Sequence, residues 1–235
     1  MKAFLLAAGK GTRLKPLTDR IPKVMIPVAG RPILEHHVRQ LAAAGIREIY
    51  VNLHHLPQKI KGYFEDGRKW GVRITYSHER RILGTAGAIR KLEKSLDREP
   101  FLVIYGDNYL RLDYAAFVGY ARRKKGVGTM AVFKKDDVRG SGIVEIGPGQ
   151  RILRFAEKPP AEDAFSRWVN AGVFYFQPEI FNYIGSDYSD FGFDVLPAIL
   201  QRGGRLFAYK LASEVWAIDS PELLDGVRSQ EGRVR

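Results

Sequence analysis

An α/β fold built on a mainly parallel sheet is the class this sequence predicts, and three observations predict it. Strand-like apolar runs alternate with helix-like stretches through the first half of the chain. One such run empties into a glycine loop, Gly9-Lys10-Gly11, and another stops abruptly at Gly106-Asp107-Asn108. Ligands on such sheets gather outside the carboxyl ends of the strands, where both segments fall.

The strand-like runs of the first half are residues 2–8, 49–53, 72–76, 101–105 and 129–133. Residues 31–44 form the clearest helix between them. Pro32 suits its first turn, Leu34, Val38 and Leu41 share one face, and Gly45 suits its end. Residues 85–96 read as a second helix, with Thr85 as N-cap and Ala88, Ile89, Leu92 and Leu96 on one face. A third helix-like stretch, 112–121, leads into Arg122-Arg123-Lys124-Lys125, cations that complement a helix C-terminus. After about Gly140 the texture changes. Residues 142–146 and 151–157 flank Gly147-Pro148-Gly149 as a hairpin, and 170–176 and 205–210 read as strands around a helix-like 193–201. Residues 229–235 are expected to fray.

Composition narrows the class. With 45% hydrophobic and 27% charged residues over 235 positions, the chain reads as soluble and globular, with enough length for a full core. No apolar run approaches the ~20 residues that span a bilayer, and the opening run reads as a core strand rather than a signal peptide. Cysteine is absent, which excludes disulfides and thiolate chemistry and makes the cytoplasm the expected compartment. The net charge of +12 comes from dispersed cations, so it points to anionic small substrates and a solvated surface rather than nucleic acid.

The glycine loop carries the first chemical signal. Small residues after a strand let backbone N–H groups approach a ligand and cradle phosphate oxygens. Arg13 and Lys23 add fixed positive charge, so the segment reads as a nucleoside triphosphate site. A dinucleotide fingerprint needs a third glycine where Leu14 stands, and a P-loop needs Lys-Ser/Thr where Thr12-Arg13 follows; both fail. Asp107, at the end of the buried-strand signal Phe101–Tyr105, can hold Mg²⁺ through its carboxylate. The alternative for Asp107 is an Asx-type turn.

Along the chain, LAAGKGTRLKPLT (6–18) and PKVMIPVAGRPIL (22–34) are followed by NLHHLPQKIKGYF (52–64), LGTAGAI (83–89), YGDN (105–108), EKP (157–159) and NAG (170–172). In this order they resemble the sugar-1-phosphate nucleotidyltransferases, and the stretch 52–89 looks most like mannose-1-phosphate guanylyltransferases. The resemblance implies a three-layer α/β/α Rossmann-like fold with a mixed, mainly parallel sheet. It implies one domain, 1–235, whose first half (about 1–140) binds nucleotide and whose second half (about 141–235) binds sugar phosphate. The implied reaction joins an NTP and a sugar 1-phosphate into an NDP-sugar and pyrophosphate, with Mg²⁺ as cofactor. Arg13, Lys23 and Asp107 would be catalytic. Leu6, Ala8, Gly9, Gly11, Thr12, Glu79, Gly84 and Thr85 would bind nucleotide with them.

On the acceptor side the resemblance gives Asn108, Glu157, Lys158, Asn170 and Gly172, with Lys158 on the phosphate and Glu157 on sugar hydroxyls. Asp219 would join Asp107 at the metal. Its local spacing also fits a helix N-cap ahead of Pro221, and Asp219 could do both. Glu79 is the candidate base reader, because a carboxylate can accept from two neighbouring donors on guanine; the alternative is a surface charge beside Arg80 and Arg81. GTP with mannose 1-phosphate is therefore the expected pair, with uridylyl or thymidylyl transfer, or a non-catalytic regulatory relative, as alternatives. The pairs His36-His37 and His54-His55 lack the spacing of a zinc site. Trp70, Trp168 and Trp216 read as core or pocket wall. The aromatic stretch 183–193 reads as packing or as a homo-oligomer contact. No nucleic-acid or membrane partner is expected.

Overall fold

The computed structural model describes residues 1–233. Strand β1 (Lys2–Leu6) comes first, with Ala3, Phe4 and Leu5 fully buried. Strands β2 (Pro27–Val28) and β3 (Arg31–Pro32) pair antiparallel ahead of helix α1 (Ile33–Ala43). The helix expected over 31–44 thus begins at Ile33, because the ribbon keeps Arg31 and Pro32 extended. Leu34, Val38 and Leu41 are fully buried, as their shared face requires. Strand β4 (Glu48–Leu53), helix α2 (Pro57–Phe64) and strand β5 (Arg73–His78) follow. Helix α2 is not among the expected elements; Pro57 starts it.

The single helix expected over 85–96 is two, α3 (Gly84–Arg90) and α4 (Glu93–Leu96). Thr85 does not cap α3: its Oγ1 donates to Asp190 Oδ2 at 2.9 Å and accepts from the Phe191 amide at 2.8 Å. Strands β6 (Phe101–Tyr105) and β7 (Asn108–Leu110), helix α5 (Tyr114–Arg123), and strands β8 (Gly128–Lys134), β9 (Gly142–Ile146), β10 (Ile152–Glu157) and β11 (Trp168–Phe176) come next. A π-type turn over Phe191–Val195 leads into α6 (Leu196–Gln201), then β12 (Leu206–Lys210), β13 (Val215–Ala217) and α7 (Pro221–Arg233). Helix α7 covers most of the end expected to fray, and Val234 and Arg235 lie outside the described residues. The main sheet is mixed and mainly parallel, with helices between its strands, the class the sequence predicts.

The residues gather into two compact units. The first holds 1–82, 104–113 and the chain from 215 onward. Its β1, β4 and β5 run parallel, with Lys2 opposite Glu48 and Glu48 opposite Arg73. The pair β7–β13 is antiparallel, with Ala217 opposite Asn108. Leu14, Ile26, Val28, Ile33, Tyr109, Ile218, Leu224 and Val227 form an apolar cluster, with Trp216 packed against it.

The second unit holds 83–103 and 114–214. There β11 pairs antiparallel with β8 and β9, β10 pairs antiparallel with β9, and β12 runs parallel to β8. Phe174, Phe176 and Phe191 stack at 5.1–5.6 Å between centroids. Phe191 therefore belongs to packing. Tyr188 and Phe193 from the same stretch are exposed.

Candidate functional site

In the first unit the glycine loop is held open by its own geometry. Gly11 adopts φ +62°, and a Cβ there would lie 2.9 Å from Thr18 Cγ2 and 3.1 Å from Lys23 Cβ. A side chain is excluded twice, by conformation and by crowding. Thr18 Oγ1 donates to the Gly11 carbonyl at 2.8 Å, and His55 Nε2 bonds the Thr18 carbonyl at 2.7 Å. Gly106 donates its amide to Leu6 O at 2.9 Å, which brings the turn carrying Asp107 beside the end of β1.

The β7–β13 pair explains Asp219. Asp107 immediately precedes β7 and Asp219 follows β13 by two residues, so the antiparallel pairing brings the two carboxylates together. Ile218 is fully buried, so its neighbour Asp219 is turned outward. Helix α7 is capped by Ser220, whose Oγ accepts from Leu223 N at 3.4 Å and whose carbonyl accepts from Leu224 N. Asp219 serves the loop, and Ser220 does the capping.

Lys23, only 7% exposed, donates to Asp107 Oδ2 and to Asp219 Oδ1. Arg13 pairs with the same Asp219 oxygen at 2.8 Å. Burial disfavours charge on both Lys23 and Asp219, and the opposite charges outweigh it. Lys23 is held above its ordinary range, and Asp219 below the usual carboxylate range. Gly9, Gly11, Thr12 and these four charged residues line a cleft of about 190 Å³.

Two carboxylates aimed at one cationic point are a donor set that a hard divalent ion accepts, with phosphates and water completing its shell. Among the described residues no three His, Cys, Asp or Glu gather as a metal cage. The rings of the two histidine pairs bond backbone carbonyls instead: His36 to Val28, His37 to Asn108, His54 to Glu79 and His55 to Thr18. Burial pushes His37 down to about 4.

Glu79 is not a surface charge. It is 2% exposed, and its Oε1 accepts from Asn52 Nδ2 at 2.8 Å, while Asn52 Oδ1 accepts from the Ala7 amide at 2.6 Å. Asn52 therefore links the start of the glycine loop to Glu79. It was not among the expected site residues, although it stands at the carboxyl end of β4, where the strand-end rule points.

In the second unit Glu157 and Lys158 end β10, with the Lys158 ammonium 3.9 Å from Glu157 Oε1. Burial holds the Glu157 carboxyl above its usual range, Lys158 offsets this in part, and Asp190 adds to it. Asn170 Oδ1 accepts from the Gly172 amide at 2.8 Å, at the irregularity of β11. Gly84, at φ +80°, has no room for a Cβ because the Ser189 backbone lies against it. The amides of Ala86 and Gly87 donate to Ser189 O at 2.9 and 3.0 Å. Asn108, expected with the sugar-phosphate residues, lies in the first unit next to Asp107.

The nucleotidyl transferase family model matches residues 2–217. The chain belongs to that family. It is 36% identical over 229 residues to a UTP–glucose-1-phosphate uridylyltransferase of Synechocystis sp., covering 91% of this chain and 59% of the relative. It is 33% identical over 236 residues to a mannose-1-phosphate guanylyltransferase of Mycobacterium tuberculosis, covering 99% of this chain and 64% of the relative. The chain thus spans less than two thirds of the length of either relative. A solved UDP-glucose pyrophosphorylase, complexed with UDP-glucose, superposes with a TM-score of 0.87 over 100% of this chain and 99% of that one. At 22% identity that likeness speaks for the fold. No helix among the described residues is long and apolar enough to cross a membrane.

Proposed function

We propose that the chain transfers a nucleotidyl group from an NTP to a sugar 1-phosphate, releasing pyrophosphate. The observation that carries this reading is the cluster of Lys23, Arg13, Asp107 and Asp219 beside the glycine loop, in a cleft of the first unit. Family membership and the two curated relatives support it.

The acceptor phosphate has a second pKa of about 6, so it is largely dianionic at neutral pH and needs no general base. One of its oxygens bonds to the α-phosphorus as the bond to the β-phosphate oxygen breaks, and pyrophosphate leaves with that electron pair. Two anions must be brought into line, so positioning and charge neutralisation dominate the barrier. Arg13, Lys23 and the loop amides hold the triphosphate. Lys158 takes the acceptor phosphate, and Glu157 accepts from sugar hydroxyls. Asp107 and Asp219 would hold Mg²⁺, which supplies further neutralisation of phosphate charge. Asp219 standing with Lys23 and Arg13 favours a catalytic site over the alternative of a non-catalytic regulatory relative.

For the substrates we propose GTP and mannose 1-phosphate, on the likeness to the mycobacterial relative and on Glu79. Glu79 presents a carboxylate, a group with about four acceptor sites, and guanine offers such a group two neighbouring donors. Uridylyl transfer is the second reading, supported by the higher identity to the cyanobacterial relative. Competition among four NTPs at equal concentration, crossed with several sugar 1-phosphates and read by pyrophosphate release, tests both. Preference for UTP, dTTP or CTP overturns guanine, and no release from any pair overturns the reaction.

A further inference from the structure

We propose that the Phe193 ring is the platform on which the pyranose ring of the acceptor stacks, making it a specificity-determining residue of the second unit. This rests on the acceptor assignment of Glu157 and Lys158 given above. Phe193 is 61% exposed, beside the stacked rings of Phe174, Phe176 and Phe191. It stands over the Lys158 ammonium, 6.0 Å from ring centroid to Nζ.

The neighbouring carboxylate has the features of a group awaiting a ligand. The Glu157 side chain is 15% exposed, and among the described residues its carboxylate accepts no hydrogen bond. Its closest counter-charge is Lys158, at 3.9 Å. Gly192, immediately before Phe193, has no room for a Cβ, because the Glu157 carboxylate lies against it; Gly142 meets the same carboxylate. The backbone that carries Phe193 thus touches the group that needs hydroxyl donors.

The backbone that carries the ring is also held in place. Asp190 Oδ1 accepts from the Gly192 amide at 2.8 Å and the Phe193 amide at 3.2 Å, and Asp194 Oδ2 accepts from the Asp190 amide at 2.7 Å. Thr85 Oγ1 donates to the other oxygen of Asp190. Such π-type turns are frequent at functional sites. A cation for a phosphate, a carboxylate lacking donors and an exposed apolar face on a fixed turn together match one ligand chemistry, a phosphorylated ring sugar. Its hydroxyls are the missing donors, and its C–H face suits the exposed ring.

Steady-state kinetics with mannose 1-phosphate and GTP test the platform, alongside saturation-transfer NMR of mannose 1-phosphate on each variant. Phe193→Ala should raise the acceptor KM roughly five- to tenfold, the scale of one aromatic contact. The GTP KM should hold, and Phe193→Tyr and Phe193→Trp should restore the acceptor KM. In wild type the ring C–H protons of the sugar should saturate, and in Phe193→Ala that signal should fall. An unchanged acceptor KM and unchanged saturation in Phe193→Ala overturn the platform. So does Phe193→Leu matching wild type, because bulk would then suffice. A change in oligomeric mass with no change in acceptor binding assigns the ring to a contact between copies and also overturns the proposal. If wild type releases no pyrophosphate yet the sugar protons saturate in a Phe193-dependent way, the platform stands while the proposed reaction falls.

Discussion

Replacing Lys23 by methionine removes the ammonium that Asp107 and Asp219 share, while keeping a side chain of similar length. Two carboxylates are then left facing one another, with Arg13 still pairing to Asp219. Removing one partner of a fully buried ion pair costs about 3–5 kcal/mol. The carboxylate side chains here are 31% exposed, so water screens part of the repulsion, and about 2 kcal/mol is the expected loss. For a chain of this size that corresponds to a melting temperature lower by about 4–8 °C. The measurement is thermal unfolding in EDTA at low salt, repeated with rising Mg²⁺. Because the variant exposes a two-carboxylate donor set without its built-in cation, Mg²⁺ should stabilise Lys23→Met more than wild type. The same substitution should cost less in an Asp219→Asn background, where the repulsion is already gone. A Lys23→Met protein as stable as wild type in EDTA, or one indifferent to Mg²⁺, refutes this account of the cluster.

Asp107→Asn should lower the melting temperature less than Lys23→Met, since Asp219 still pairs with Lys23, while cutting kcat on the order of 100-fold, the scale of a lost electrostatic contact; near-wild-type kcat at saturating Mg²⁺ removes Asp107 from the site. Glu157→Gln should stabilise the ligand-free protein at pH 7 by about 1 kcal/mol, or 2–4 °C, because ionising a carboxyl held above its usual range opposes folding. That gain should vanish below the usual carboxyl value of 4.5 and come with a raised acceptor KM; an unchanged melting temperature at both pH values refutes it. Asp219 runs the other way. Its lowered native value gives stability that is present above its ordinary value of 3.8 and lost as pH falls through the native one, so Asp219→Asn should melt with a shallower dependence on pH below 4. The raised Lys23 value adds no slope there, since its contribution persists until pH rises beyond 10.5.

The strands were legible because burial writes itself into local sequence. Phe101–Tyr105 is one apolar run ending in glycine, and that strand has the expected bounds. Helix α1 was equally plain from Leu34, Val38 and Leu41. The errors lie where tertiary pairing overrides local preference. Pro32 suits a helix start, yet pairing with Pro27 holds it extended. Thr85 has the chemistry of an N-cap, yet its hydroxyl is committed to Asp190, 105 positions away. The short β7–β13 pair has no local signature, and without it Asp219 could not be distinguished from a helix cap.

Glycines mark the sharper limit on reading a site from sequence. Gly11 and Gly84 both stand in short motifs, and both have positive φ. The space denied to a side chain at Gly11 is taken up by Thr18 and Lys23, beside a cleft, so the glycine shapes a loop whose neighbours are charged. At Gly84 it is the Ser189 backbone that intrudes, and at Gly87 it is Asp187 O, 2.7 Å from where a Cβ would stand. Packing against this stretch already denies a side chain to both glycines of LGTAG, whether or not a ligand also approaches. A motif reads the same whether a ligand or another stretch of chain approaches it. The side chain between them gives Thr85 a definite task, because it fixes Asp190, and Asp190 fixes the turn that presents Phe193. The consequence for substitution is specific to this linkage: Thr85→Val should act through the acceptor KM, by loosening the Asp190 turn, and should follow Phe193→Ala in direction. A Thr85→Val enzyme whose NTP KM rises while its acceptor KM holds would instead assign Thr85 to the nucleotide.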